Sequence, residues 1–257
     1  MSIRPADAAR HSLILAGRGL RKIRRNPAYL VDVTVQPLLF LVMFAYLFGG
    51  AIAGSPDTYL QRLVPGLLAP SVLMATLSAG VSLNTDVGTG VFDRLRSMPI
   101  ARSAPLAGAV LAGTIRYLVA IVVVLVVGTA LGFRIRTGPL EVLAGAGLLV
   151  LAGLCFCWVT VFLGMVLRQP DTVQGTAIAV FMPMVFASSV FVPSATLPGW
   201  LRVWSELNPV SLLADAERGL LDGGPVAAPV TGALLWSAAV LAVFFPLALR
   251  GYHRRVG

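Results

Sequence analysis

Six long apolar runs dominate this chain, at about residues 29–50, 65–83, 105–131, 142–166, 173–192 and 230–249. Each is near the roughly 20 residues that a helix needs to cross the hydrocarbon of a bilayer. Lipid offers no partner for backbone N–H and C=O groups, and each one left unpaired costs several kcal/mol, so such spans have to be helical. The expected fold is an all-α polytopic membrane protein with six transmembrane helices. Composition closes the water-soluble alternative. Hydrophobic residues make up 57% of the chain and charged residues 12%, against roughly 45–50% and about 25% for a soluble domain.

The formal charge of +9 points to orientation rather than to nucleic acid, because most of the arginines flank apolar runs. Arg4, Arg10, Arg18, Arg21, Lys22, Arg24 and Arg25 precede the first run. Arg94, Arg96 and Arg102, then Arg168, then Arg250, Arg254 and Arg255 fall on the same side. The opposite side holds Arg62, Arg134, Arg136, Arg202 and Arg218, so the bias places both termini in the cytoplasm and the chain in the cell membrane. Arg134 and Arg136 go against the rule. The organisation expected is a cytoplasmic segment 1–28, a transmembrane domain 29–249 and a cytoplasmic tail 250–257. Residues 1–28 lack the form of a cleavable signal, since basic residues continue up to the first apolar run. Within them, 8–25 reads as an amphipathic interfacial helix. Leu13, Ala16, Leu20 and Ile23 share one face, and Arg18, Arg21 and Arg25 join Arg10 on another, at the height of anionic headgroups. The other reading is an unstructured basic arm.

Few ionisable residues fall inside the runs. Asp32 sits near the cytoplasmic entry of the first, where an interfacial ion pair competes with a substrate role. Arg116 lies deeper in the third. It snorkels to the surface, or the embedded part of the helix starts later, or it faces a polar pathway. Cys155 and Cys157 are two residues apart in one helix and cannot face each other. The only lysine, Lys22, stands in no G-x-x-x-x-G-K-[ST] motif, so the chain has no P-loop. Its two histidines, His11 and His253, lie in the terminal segments, and Asp32 has no second intramembrane carboxylate. No catalytic or metal site is expected, and the chain reads as a non-enzyme.

Two polar interruptions remain. Residues 87–102 form a charged island between the second and third runs. Val87, Val91, Leu95 and Met98 make a helical stripe, Asp93 and Arg96 lie off it, and Pro99 stops the turn. A short helix parallel to the membrane is expected, serving either as a docking element or as a solvated connector. In residues 191–229, Pro193, Pro198 and Pro209 cut the chain into pieces too short to span. Trp200 and Trp204, with Leu197, Leu201, Val203 and Leu207, suit short helices in or dipping into the outer leaflet. Such a segment is a gate or a surface anchor.

Three separated segments resemble the ABC-2 type export permeases, particularly the daunorubicin-resistance type. GVFDRLRSMPIARSA over 90–104 is similar to that family's cytoplasmic loop. FVPSATLPGWLRVWSELNPVSLLADAERGLL over 191–221 is similar to its signature between the fifth and sixth spans, and QPLLFLVMFAYLFGG over 36–50 to its first span. The resemblance covers nearly the whole chain in the expected order. It implies a six-span permease whose loop helix docks on a separate ATP-binding subunit. Asp93, Arg94, Leu95, Arg96, Met98 and Pro99 would be the coupling element, with Asp93 standing where many members have glutamate. Pro193, Pro198, Trp200, Trp204 and Pro209 would belong to an extracellular gate. The implied partners are two ATP-binding subunits that carry ATP and Mg, and a second permease forming a dimer; this chain itself holds no cofactor. The implied cargo is a hydrophobic small molecule such as an antibiotic, moved outward. A lipid or glycan would fit the same class. A secondary transporter fits less well, because no internal repeat and few midplane charges are visible.

Overall fold

The structure, a computed structural model, describes residues 28–89 and 104–256, and every regular element among them is a helix. In chain order these are α1 (Ala28–Ala53), α2 (Pro56–Ala75), α3 (Leu77–Gly88), α4 (Ala104–Ala130), α5 (Pro139–Val166) and α6 (Pro170–Phe186). A single 3-10 turn (Ser194–Thr196), α7 (Gly199–Leu207), α8 (Pro209–Asp222) and α9 (Ala227–Val256) follow. The interfacial helix expected over 8–25, with Arg18, Arg21 and Arg25, lies outside the described residues. So do Asp93, Arg94, Leu95, Arg96, Met98 and Pro99 of the loop, and the side chain of Asp32.

Each apolar run is met by a helix. Four stretches are long and apolar enough to cross a membrane by length and composition: Asp57–Gly88, Gly113–Ala130, Pro139–Val166 and Ala227–Arg255, with Thr34–Gly50 a shorter apolar helix. The second run begins earlier than apolarity suggests. Ser55 accepts the Thr58 N–H at 3.2 Å, Pro56 takes the first helical position and Asp57 sits in the first turn. Together they form a capped start at which the free N–H groups are either absent or satisfied. Helix α6 stops at Phe186, and just after it Ser188 Oγ donates back to the Val185 carbonyl at 2.5 Å.

The α2–α3 helix is the buried centre of the bundle. Tyr59, Leu63, Leu67 and Leu68 of α2 are fully enclosed by α1, α4, α5 and α8, while α9 packs on α5 and α8 at the rim. Prolines 65 and 70 lie within α2, and the helix breaks at Thr76, whose N–H and Oγ1 both donate to the Leu73 carbonyl. This tight turn spends hydrogen bonds that would otherwise continue the ladder. The Thr76 carbonyl accepts Thr160 Oγ1 of α5 at 2.9 Å. One turn on, α3 and α5 touch backbone to backbone. A Cβ on Gly80 would lie 2.2 Å from the Thr160 carbonyl oxygen, and one on Gly164 would lie 2.5 Å from that of Gly80. Small residues serve lipid-embedded packing in this way, because apolar tails give no hydrophobic drive and only close contact does.

Arg116 of α4 is 7% exposed and donates through Nη1 to Ser78 Oγ on α3. Arg116 is therefore buried inside the bundle against a polar neighbour rather than snorkelling to the surface. Cys155 and Cys157 are buried and free.

Overpacking a closed contact costs ~1–3 kcal/mol. Gly80→Val should therefore lower the thermal midpoint of the purified protein in detergent. Gly175→Ala, where nothing lies within 4 Å, should leave it unchanged or raise it; equal midpoints for the two variants would contradict the contact.

Candidate functional site: a sealed cleft and its clamp

A cleft of about 600 Å³ runs between α1, α2, α3 and α6. Its walls are apolar, with Phe40, Met74, Ile178 and Met182 among them, interrupted by Gln36, Ser71, Ser78, Ser82, Thr85 and Gln174. Apolar walls with a few convergent polar groups are what a small hydrophobic ligand requires. Thr85 belongs to the last turn of α3 and Gln174 to the first turns of α6, so the cleft starts at the end of the bundle where α9 finishes. At its other extreme it stops against Phe40 and Phe191.

That closure is aromatic. The rings of Phe44 and Phe191 stack with centroids 4.2 Å apart, Phe186 and Phe191 at 5.5 Å, and Phe40 meets the edge of Phe186 at 6.5 Å. The cluster joins α1 to the end of α6. Offset and edge contacts of this kind add ~0.5–1.5 kcal/mol each beyond burial.

Phe191 belongs to a short non-helical stretch, 187–193, whose backbone groups are met by side chains from α2 and α8. Tyr59 Oη donates to the Phe191 carbonyl at 2.9 Å. Arg218 donates through Nη2 to the carbonyls of Ser189 at 2.9 Å and Val190 at 3.1 Å, through Nε to that of Arg62 at 3.2 Å, and through Nη1 to Asp215 at 2.6 Å. Asn208 caps α8 by accepting the Val210 N–H at 2.9 Å, and its amide donates to the Met184 carbonyl at 2.7 Å. The Ser189 N–H reaches Ser211 Oγ at 2.9 Å. These partners let a broken backbone sit within an apolar bundle, where orphaned groups would be costly.

The expected gate residues all lie at this end. Pro193 precedes the 3-10 turn, Pro198 precedes α7 and Pro209 opens α8. Trp200 and Trp204 are 76% and 50% exposed. With Val203 and Leu207 they form an apolar stripe on the outer side of α7, and Arg202 pairs with Glu206 on another side at 2.8 Å. The tryptophans do not line the cleft. The residues that close it, Phe40, Phe44, Phe186 and Phe191, and the clamp residues Tyr59, Asn208 and Arg218 are not marked by spacing along the sequence. Only Asn208-Pro209 carries a local sign, the pairing of an N-cap with proline at the first helical position.

At the other end, α3 is tied to its neighbours just before the loop 90–103. Asn84 Nδ2 donates to the carbonyls of Gly164 at 2.9 Å and Leu167 at 2.6 Å, and Arg255 of α9 donates to Gly164 at 2.8 Å. An amide and a cation thus satisfy the last carbonyls of α5, as its dipole favours.

The ABC-2 type transporter family matches this chain over residues 11–221. A daunorubicin resistance ABC transporter permease protein, DrrB1, of Streptomyces coeruleorubidus is 40% identical over 98% of this chain and 90% of its own. A probable doxorubicin resistance ABC transporter permease protein, DrrC, of Mycobacterium tuberculosis is 29% identical over 95% and 88%. A putative transport permease, ycf38, of Cyanophora paradoxa is 24% identical over 80% and 72%.

Beside the clamp, Glu217 is 1% exposed, its Oε1 has no hydrogen-bond partner among the described residues, and it packs on Gly145 of α5. Burial raises its carboxyl from 4.5 to about 8. Below the lower value the group is neutral in folded and unfolded chains alike. As pH rises toward the higher one, only the unfolded chain ionises, so stability falls. Wild type should lose thermal stability between about pH 5 and about pH 8 relative to Glu217→Gln, the two converging at the acid end. Parallel midpoint curves would show that Glu217 ionises normally.

Proposed function

Since this chain belongs to the ABC-2 type transporter family, we propose that it is the permease through which an ATP-driven exporter moves hydrophobic drugs of the daunorubicin and doxorubicin class out of the cell. An ABC transporter permease is a membrane component rather than a catalyst and works with an ATP-binding partner. The observation that carries the substrate reading is the cleft: apolar, with a few polar groups, reaching from Thr85 and Gln174 at one end to the stacked phenylalanines at the other.

In this reading six spans cross the membrane with both termini in the cytoplasm, and the cleft faces inward when the phenylalanine seal is shut. Two ATP-binding subunits, carrying ATP and Mg, engage Asp93, Arg94, Leu95, Arg96, Met98 and Pro99. The loop continues α3, so its displacement pulls on Asn84, the carbonyl end of α5 and Arg255 of α9. A second permease supplies the other wall of the path. Nucleotide closure then favours a state in which α1 and α6 separate at the seal. The seal's phenylalanines come from exactly those two helices and the stretch after α6, which makes a relative movement there sufficient to open it. Pro193, Pro198 and Pro209 act as the stops between the pieces of the gate, and Trp200 and Trp204 hold α7 at the headgroup level.

Uptake of doxorubicin into inverted vesicles bearing this chain and its cognate ATP-binding subunit tests the assignment, with a fluorescent lipid as the competing cargo. ATP-dependent drug uptake is expected. Lipid movement without drug movement would reassign the substrate, and movement of neither would remove the transport reading. Exchanging the charges, with Asp93→Arg and Arg94→Asp, should cut uptake about tenfold, the size of an ordinary coupling free energy, with membrane insertion unchanged. Phe191→Ala should raise drug leak without ATP while the ATP-binding subunit stays attached; a tight variant would remove Phe191 from the seal.

A further inference from the structure

At the end of the bundle opposite the chain's C-terminus, an open bowl of about 710 Å³ lies between the start of α2, the loop joining α4 to α5, and the end of α8. Four arginines line it, Arg62, Arg134, Arg136 and Arg218, against the carboxylates of Asp57 and Asp222. Two of the four are committed. Arg136 pairs with Asp222 at 3.1 Å, and Arg218 pairs with Asp215 and holds carbonyl groups of the clamp. Arg62 and Arg134 have no ion pair among the described residues, and the Nε of Arg62 is buried without an acceptor. Asp57 occupies the first turn of α2, where the helix dipole already draws its charge. Two guanidinium groups thus line one bowl with no ion pair of their own among the described residues. Arg62 also faces the committed Arg218: burial first, and then the like charge of Arg62, lowers Arg218 to about 10.

The loop that brings Arg134 here is built rather than draped. Phe133 is 2% exposed and anchors it in the core. Gln61 Nε2 donates to the Gly132 carbonyl at 3.2 Å, the Arg136 N–H donates to the Leu221 carbonyl at 2.9 Å, and Thr137 Oγ1 donates to that of Leu220 at 2.6 Å. Gly132 adopts a φ of 118°, a conformation that side chains resist. Apolar helices end at Ala130 and resume at Pro139, so the bowl lies at the ends of two candidate membrane spans. Cations on this side of the chain run against the usual charge bias of a membrane protein, so their concentration in one fixed concavity calls for an anion.

We propose that this bowl is a phosphate-binding site, in which Arg62 and Arg134 hold the phosphate of an anionic lipid headgroup or a free phosphate ion at the membrane surface. Paired guanidinium forks match phosphate oxygens in geometry as well as charge. The site does not overlap the cleft, and its occupancy is measurable on the purified chain without an ATP-binding subunit, so it stands or falls separately from transport.

The test is binding to the purified protein in neutral detergent at low salt, read by native mass spectrometry and by titration with dihexanoyl-phosphatidylglycerol, dihexanoyl-phosphatidylcholine and inorganic phosphate. Saturable binding of phosphatidylglycerol or of phosphate is expected. It should weaken about tenfold or more in Arg134→Gln and in Arg62→Gln, and weaken with added salt. It should be unchanged in Arg202→Gln, an exposed arginine at the same end but outside the bowl. Phosphatidylglycerol bound where phosphate is not identifies a headgroup site, and equal affinities identify a site for the free ion. Arg134 is exposed and its side chain holds nothing in the fold, so its variant stays readable even if Arg62→Gln misfolds. Absence of saturable binding to wild type, or equal binding by wild type and the Arg134 variant, overturns the proposal.

Discussion

Everything in this bundle depends on how closely α3 and α5 approach. At Gly80 and Gly164 the two backbones meet with no side chain between them, and Thr160 reaches across to the carbonyl left open by the break at Thr76. In an apolar medium the hydrophobic effect cannot draw helices together, so the association rests on van der Waals contact and on hydrogen bonds between chains of atoms with nowhere else to turn. The contact fixes α3 on one side of the break while α2 goes on through the middle of the molecule. With α3 held against α5, its opposite side is left as a wall of the cleft, carrying Ser78, Ser82 and Thr85.

The two ends of the molecule solve the same problem in opposite ways. Where α5 finishes, its last carbonyls are met by Asn84 and Arg255, which knit three helices into one rigid corner. Where α6 finishes, the backbone leaves the helix altogether, and Arg218, Tyr59 and Asn208 supply what the helix no longer does. Arg218 alone ties α8 to the segment 189–190 and to the carbonyl of Arg62 on α2. One end is thus held by helix-end contacts and the other by side chains from α2 and α8.

The helical character is legible in the sequence because a long apolar run carries its own signal. Four stretches are long and apolar enough to cross a membrane and Thr34–Gly50 is a shorter apolar helix, while the 65–83 run is broken at Thr76 and the 173–192 run is helical only to Phe186. Boundaries are less so. The start of α2 at Pro56 lies in the polar stretch SPDTYLQR, which apolarity discards but whose cap, proline and acidic first turn announce a helix. Between α6 and α9 the prolines legible in the sequence, Pro193, Pro198 and Pro209, stand at the starts of the short pieces. The working contacts there escaped notice because they are tertiary. Nothing along the chain shows that Phe191 will stack on Phe44, nearly 150 residues away, or that Arg218 will reach Ser189 rather than solvent. Arg116 admits three readings for the same reason, and its burial against Ser78 removes snorkelling. Arg134 and Arg136 stood out in sequence as exceptions to the charge bias, and the fold gives that exception a location.

The unequal lengths of the helices have a consequence for the surrounding lipid. The 17 residues of α6 rise only about 26 Å at 1.5 Å each, a few ångström less than the roughly 30 Å of hydrocarbon in an average bilayer, whereas the 30 residues of α9 exceed it. In the six-span reading, lipid beside α6 would thin, and α9 would tilt or stand proud of the surface. The cleft lies along α6, on the thinned side. In that reading the protein's response to bilayer thickness falls on the helix whose end carries part of the seal.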